Sequence, residues 1–188
     1  PLRRYLQEHR RPFFDTLFRI DDYYGDKYVT TAGVILLCTT GLISGEKNLR
    51  DAGILTIAAY IPTAIATRLL KQVFGRSRPF LEEGPRQFDF WPGERSRRSL
   101  PSGHTSSAFA ISTVMAARSD NTVWKTAWYS VAALVGMARV YNDQHWFSDV
   151  LLGGAIGYGI GSFVANHAGS QETGDSDTSF RLYFSLPL

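Results

Sequence analysis

Five stretches of the chain contain no Asp, Glu, Lys or Arg: residues 28–45, 52–67, 105–117, 126–138 and 150–171. Each is long enough for several helical turns, and none shows the strict alternation of a half-buried strand, so the pattern predicts helices. The polar breaks at 46–51 and 118–125 have the length expected between antiparallel neighbours in a bundle. A longer connection, residues 75–100, separates the second run from the third. The predicted fold class is therefore all-α, a helical bundle of five long helices.

At 1.5 Å per residue, runs of sixteen to eighteen residues reach roughly 24–27 Å, just under a hydrocarbon core of about 30 Å. Length alone thus leaves core helix and membrane span both open. Small residues shift the balance. Gly153, Gly157 and Gly161 form an i, i+4, i+8 ridge on one helix face. Each glycine costs up to about 1 kcal/mol in a helix in water. In a bilayer, small residues instead allow the close helix approach on which association depends. The expectation is a membrane-embedded bundle, with a soluble one as the competing reading.

Two further segments flank the runs. Over residues 12–24, Phe13, Phe14, Leu17, Phe18 and Ile20 fall on one helical side, away from Asp15, Arg19 and Asp22. This predicts an amphipathic N-terminal helix, lying either on the bundle or at a membrane interface. Residues 169–179 are polar and read as a linker. Beyond them Phe180, Leu182, Phe184, Leu186 and Leu188 alternate with other residues in the period of a strand. Such a strand-like tail would pack on this chain or pair with a second molecule. The domain division is then a bundle over 1–168 and a linker with its tail over 169–188.

Composition adjusts this picture only slightly. With 188 residues, 44% of them hydrophobic and 20% charged, the chain is one domain with material for a core, which excludes intrinsic disorder. The mean hydropathy of −0.12 looks soluble, but it averages apolar runs with charged connections. Twenty basic against seventeen acidic residues give +3, too small an excess to imply a nucleic acid partner. The single cysteine, Cys38, permits no internal disulfide, and its neighbours Leu36, Leu37 and Thr39 suggest a buried site. The sequence opens at Pro1 without an initiator methionine, as after removal of a leader or in a truncated chain.

Three short patterns sit at the ends of the runs: Lys71 with Arg78-Pro79, then Pro101-Ser102-Gly103-His104, then Arg139 with His145 and Asp149. Singly they read as surface charges, a turn and an ordinary i, i+4 helix pair. Counting antiparallel helices brings all three to one end of the bundle. Lys71, Arg78 and Arg139 would there form a permanently charged cradle for a tetrahedral dianion such as phosphate. Ser102 is placed to cap the third helix, with the Gly103 and His104 N–H groups and the positive helix end turned toward the anion. Two histidines turn a binding site into a reacting one. Asp149, one turn beyond His145, can hold its imidazole in one tautomer, which makes His145 the nucleophile and His104 the general acid and base. No group of ligands with metal spacing accompanies them, so neither metal nor cofactor is expected.

These residues resemble the signature of the type 2 phosphatidic acid phosphatase superfamily, which includes bacterial acid phosphatases and vanadium-dependent haloperoxidases. Its three parts are Lys-x6-Arg-Pro, Pro-Ser-Gly-His and Ser-Arg-x5-His-x3-Asp. The chain matches all of them except that Ala138 stands in place of the serine. The resemblance implies metal-independent phosphomonoester hydrolysis through a phosphohistidine. In it Lys71, Arg78 and Arg139 hold phosphate, Ser102 and Gly103 assist, His104 is acid and base, His145 is the nucleophile and Asp149 orients it. Integral members have six spans with the site at the outer membrane face. The expectation that follows is a site facing the periplasm or cell exterior, with the amphipathic N-terminal helix replacing a span.

The leading expectation is a phosphatase acting on a lipid phosphate or diphosphate at the membrane. Phe80, Phe88, Phe90 and Trp91, among Arg86, Arg95, Arg97 and Arg98, would form an amphipathic mouth or else close the long connection onto the bundle. Two other function classes compete. One is a soluble acid phosphatase or vanadate-using haloperoxidase. The other is a helical membrane protein that binds phosphate without turning it over, which would need none of His104, His145 and Asp149.

Overall fold

The computed structural model describes residues 2–19 and 27–172. Among them seven α-helices follow one another: α1 (Leu2–Glu8), α2 (Pro12–Leu17), α3 (Lys27–Ser44), α4 (Lys47–Phe74), α5 (Gly103–Ala117), α6 (Thr122–Tyr141) and α7 (Phe147–Glu172). No β-strand occurs among the described residues. A single antiparallel bridge, Arg76 with Phe88, folds the long connection back on itself. The strand-like alternation at 180–188 lies outside the described residues.

Each of the five uncharged runs is a helix, and the extensions have local causes. Helix α4 continues past its apolar run through Arg68 and Lys71, and it ends where Gly75 adopts the left-handed conformation (φ 55°) and donates its N–H to Lys71 O at 3.1 Å. A side chain at Gly75 would collide with the Asp89 carbonyl, so the helix end and the returning connection are closed on each other. Pro62 withdraws one donor inside α4, while Thr63 caps the Ala59 carbonyl with its hydroxyl at 2.7 Å. Helix α7 runs to Glu172, four residues into the stretch expected as linker.

Of the helix expected over 12–24, residues 20–24 lie outside the described residues. Helix α2 stops at Leu17, with Phe18 as its cap, and a separate short helix α1 precedes it. Phe18 is buried against Ala138 and Tyr141 at the end of α6, so this segment packs on the bundle. Cys38 is half-buried rather than enclosed; its backbone faces Gly53 across the α3–α4 contact.

The most extensive helix contact is between α5 and α7, and the glycine ridge makes it. A Cβ at Gly153 would stand 2.5 Å from Ser102 O, one at Gly157 would overlap Ser106 O, and one at Gly161 would be 2.9 Å from Ala110 O. The core between helices is accordingly built of small side chains such as Ala59, Ala108, Ala110 and Ala132. Large apolar side chains face outward instead: Leu36, Ile43, Ile61, Leu69, Leu151 and Phe163 are all more than half exposed. An apolar surface of that extent is what a bundle set in a membrane presents. Helices α4 and α7 are long and apolar enough to cross a membrane, and α3 is a shorter apolar helix beside them. The protein is an all-α bundle of membrane type.

Candidate active site

The ends of α4 and α6 and the starts of α5 and α7 meet at one end of the bundle, and the three sequence patterns meet with them. Ser102 is the N-cap of α5: its Oγ accepts from Thr105 N at 3.5 Å and from the Thr105 hydroxyl at 2.9 Å. Its own N–H donates to the Asp149 carbonyl at 2.9 Å. That bond ties the start of α5 to the start of α7 and removes the Ser102 N–H from anion binding, leaving the positive end of α5 at Gly103 and His104. Directly above lies Lys71, whose Cε would be 3.6 Å from a Cβ at Gly103. The Lys71 ammonium is held by the carbonyls of Arg98 (2.7 Å) and Ser99 (3.2 Å).

Helix α6 delivers Arg139, which is buried. A tight turn follows, in which the N–H groups of Gln144 and His145 both reach the Arg139 carbonyl, at 3.1 and 3.2 Å. Asp143 takes φ 58° in that turn. The result sets His145 inside the bundle at 2% exposure, facing the fully buried Asp149. His145 Nδ1 lies 3.6 Å from Asp149 Oδ2 and 3.4 Å from Ser99 Oγ. The Asp149 Oδ2 atom also accepts from the Ser99 hydroxyl and from Trp146 N at 2.9 Å.

Charge around His145 is dominated by cations. Burial, reinforced by Lys71, Arg139, Arg78 and His104, pushes its imidazole well below the ordinary histidine range. The ring is therefore neutral at neutral pH, the form with a lone pair to donate. Burial beside Arg139 also lowers Arg78. Its Nη1 donates to Gln144 Oε1 at 2.7 Å, while its buried Nε has no hydrogen-bond partner. A crowded set of cations with an unsatisfied donor is suited to a multiply charged anion.

The family model of the PAP2 superfamily matches residues 52–170, a span that contains every residue of this cluster. The chain belongs to the PAP2 superfamily. Among its relatives, the "Lipid A 1-phosphatase" of Porphyromonas gingivalis is 40% identical over 72 residues, covering 37% of this chain and 16% of that protein. The "Lipid A 1-phosphatase" of Rhizobium etli is 32% identical over 108 residues, covering 54% of this chain and 46% of that protein. The chain thus spans less than half the length of these curated relatives. Two solved structures share the fold. Aquifex aeolicus LpxE superposes with a TM-score of 0.70 at 26% identity, over 88% of this chain and 93% of that one. The transmembrane PAP2 type phosphatidylglycerolphosphate phosphatase of Bacillus subtilis superposes with a TM-score of 0.72 at 20% identity, over 93% and 84%, and bears on the fold alone.

In this PAP2 protein Ala138, at the position that departs from the signature, is fully buried in a cluster with Phe18 and Tyr141. All eight residues singled out in the sequence gather at one end of the bundle. Three polar residues of the same cluster were not singled out: Arg76, Ser99 and Gln144. Arg76 carried a signal, because in an extended Arg76-Ser77-Arg78 segment the two arginines share a face. Ser99 and Gln144 carried none. Among the described residues, no group of three or more His, Cys, Asp or Glu side chains is arranged to hold a metal ion.

Proposed function

We propose that this PAP2 protein is a phosphatase that hydrolyses a lipid phosphomonoester or diphosphate through a phosphohistidine, without a metal. The observation that carries the reading is a neutral, buried His145 facing Asp149, with Lys71, Arg78, Arg139 and the start of α5 gathered around it. Lys71, Arg78 and Arg139 hold the phosphate oxygens, and the α5 N-terminus at Gly103 adds backbone dipole. His145 attacks phosphorus with the ring nitrogen turned away from Asp149, so an N–P bond forms as the ester P–O bond breaks. His104 gives its proton to the departing oxygen, then takes one from the water that cleaves the N–P bond and releases inorganic phosphate. Ser102 acts indirectly, by fixing the helix start.

The relatives named as lipid A 1-phosphatases favour the phosphate of a glycolipid as substrate. A lipid is also supported by the rim. Phe90 and Trp91 are 73% and 62% exposed, and Phe80 and Phe88 are also exposed, which favours an amphipathic mouth over a loop closed on the bundle. Arg97 and Arg98 are engaged within that connection, with Glu83 and with the Pro92 and Gly93 carbonyls. We place the site end outside the cytoplasm. The support is the resemblance to integral members of the family, whose site lies at the outer membrane face.

Assay of phosphate release from a panel of phosphatidic acid, phosphatidylglycerol phosphate, polyprenyl diphosphate and lipid A in detergent tests this reading. His145→Ala should abolish release, and turnover undiminished in that variant would remove His145 as nucleophile. Activity should survive chelation. Loss restored by a divalent ion would overturn the metal-free mechanism.

A further inference from the structure

Arg76 is outside the eight residues assigned above, yet it is 8% exposed and every donor group of its guanidinium is engaged. Nη1 donates to Asp149 Oδ1 at 2.6 Å and to Ser148 Oγ at 2.7 Å. Nε and Nη2 donate to the Pro85 carbonyl at 2.9 and 2.6 Å. The guanidinium also lies over the rings of Phe88 and Trp146, 5.6 Å from each centroid. It is therefore fixed from the long connection on one side and from the start of α7 on the other.

Asp149 is divided between two partners. Oδ1 is taken by Arg76, while Oδ2 accepts from Ser99 and Trp146 and faces His145. A fully buried carboxylate stays ionised only when paired. The ion pair at 2.6 Å is with Arg76, whereas His145 is 3.6 Å away and neutral. Were Arg76 absent, His145 would be the group left facing the carboxylate that can take up a positive charge to offset it. A protonated ring loses the lone pair with which it attacks.

We propose that Arg76 is a positioning residue for the phosphoryl-transfer step, holding the ionised Asp149 carboxylate so that Oδ2 is presented to His145 while offsetting its charge. This rests on the phosphohistidine reading above. The other groups facing His145 are Lys71 from α4, His104 from α5, Arg139 from α6, and Arg78 and Ser99 from the long connection. Four of these five can carry positive charge, so the anionic Asp149 is what would draw a proton onto His145. Arg76 is the cation paired with that anion.

Kinetics and NMR on purified protein in detergent test the proposal with Arg76→Gln and Arg76→Lys. Arg76→Gln should lower kcat by about 100-fold, the upper range for partners that orient a reacting side chain, with KM within about threefold. Its acid limb of kcat against pH should move to higher pH, as His145 becomes the group that neutralises Asp149. Arg76→Lys keeps the charge without the fork, so its acid limb should stay near the wild type while kcat remains reduced. A rise in KM at unchanged kcat, or a fall in kcat with the acid limb unmoved in Arg76→Gln, overturns the proposal. Should Arg76→Gln fail to fold, Arg76→Lys decides alone, and wild-type kcat in that variant overturns it.

Ring-15N labelling of the four histidines, with the His145 signal assigned through His145→Gln, reads the titration without turnover. The His145 titration should rise in Arg76→Gln. An unmoved titration contradicts the proposal even if the protein proves inactive on every phosphate ester, the outcome that would sink the phosphohistidine reading instead.

Discussion

The flank of the bundle and its site end are organised on opposite plans. Along the flank, alanines and glycines are inside while leucines and isoleucines face out, and the driving force for packing is close backbone approach. At the site end the charges are inside. Asp149, His145, Arg76 and Arg139 are each at most 8% exposed, held by the hydrogen bonds and ion pairs that such burial demands. The two plans meet at Ser102, whose N–H reaches Asp149 O and whose carbonyl lies against Gly153. The tight α5–α7 contact of the flank is thus what brings the N-terminal end of α5 beside the histidine turn.

That dependence can be broken at a distance from the chemistry. Gly157→Leu inserts a side chain where Ser106 O and Ala110 N stand. Backbone has to move to admit it, a cost above the 1–3 kcal/mol of ordinary overpacking. Activity should be lost and the thermal midpoint lowered, and a fully active Gly157→Leu would show that the contact does not govern the site.

A smaller effect is expected at the outer brace. Arg3 pairs with Asp143 in the histidine turn through Nε at 2.7 Å and Nη2 at 2.8 Å, and it reaches Glu82 at 3.5 Å beside the Arg78 turn. The Asp143 carboxylate raises the Arg3 guanidinium above its ordinary range. Because Arg3 is about a third exposed, the pair contributes on the order of 1 kcal/mol or less. Arg3→Ala should lower kcat about threefold with a similarly modest loss of stability. Loss as complete as that in Gly157→Leu would make the N-terminal segment a full part of the site.

The smallest effect should come from the flank surface. Ile43 is 88% exposed, so Ile43→Ala removes lipid contact without opening a cavity, and kcat should stay within about twofold. A large loss of activity there would mean that the flank packs against something other than lipid.

The fold was legible because charge-free runs mark helices and their spacing marks antiparallel packing. Even the glycine ridge could be read before its partner carbonyls were known. What escaped was whatever charge interrupted. The charged first turn of α4, from Lys47 to Asp51, was read as a break between runs, and the polar residues after Ala168 were read as linker although α7 continues through them. At the N-terminus, the apolar side of residues 12–24 suggested a helix, of which α2 forms Pro12–Leu17 and Phe18 packs on Tyr141. The site residues were legible where fixed spacing ties them to helix ends. Ser99 and Gln144 were not, because their roles arise from tertiary contact between loops: Ser99 joins Asp149 and His145, and Gln144 holds Arg78.

The central claim is a phosphoryl group carried on His145. Rapid quench into alkali during turnover of a 32P-labelled lipid phosphate should trap an alkali-stable, acid-labile label on the wild-type protein, located at His145 by peptide mapping and absent from His145→Ala. Turnover with no trapped label, or a label that persists in His145→Ala, would contradict the account.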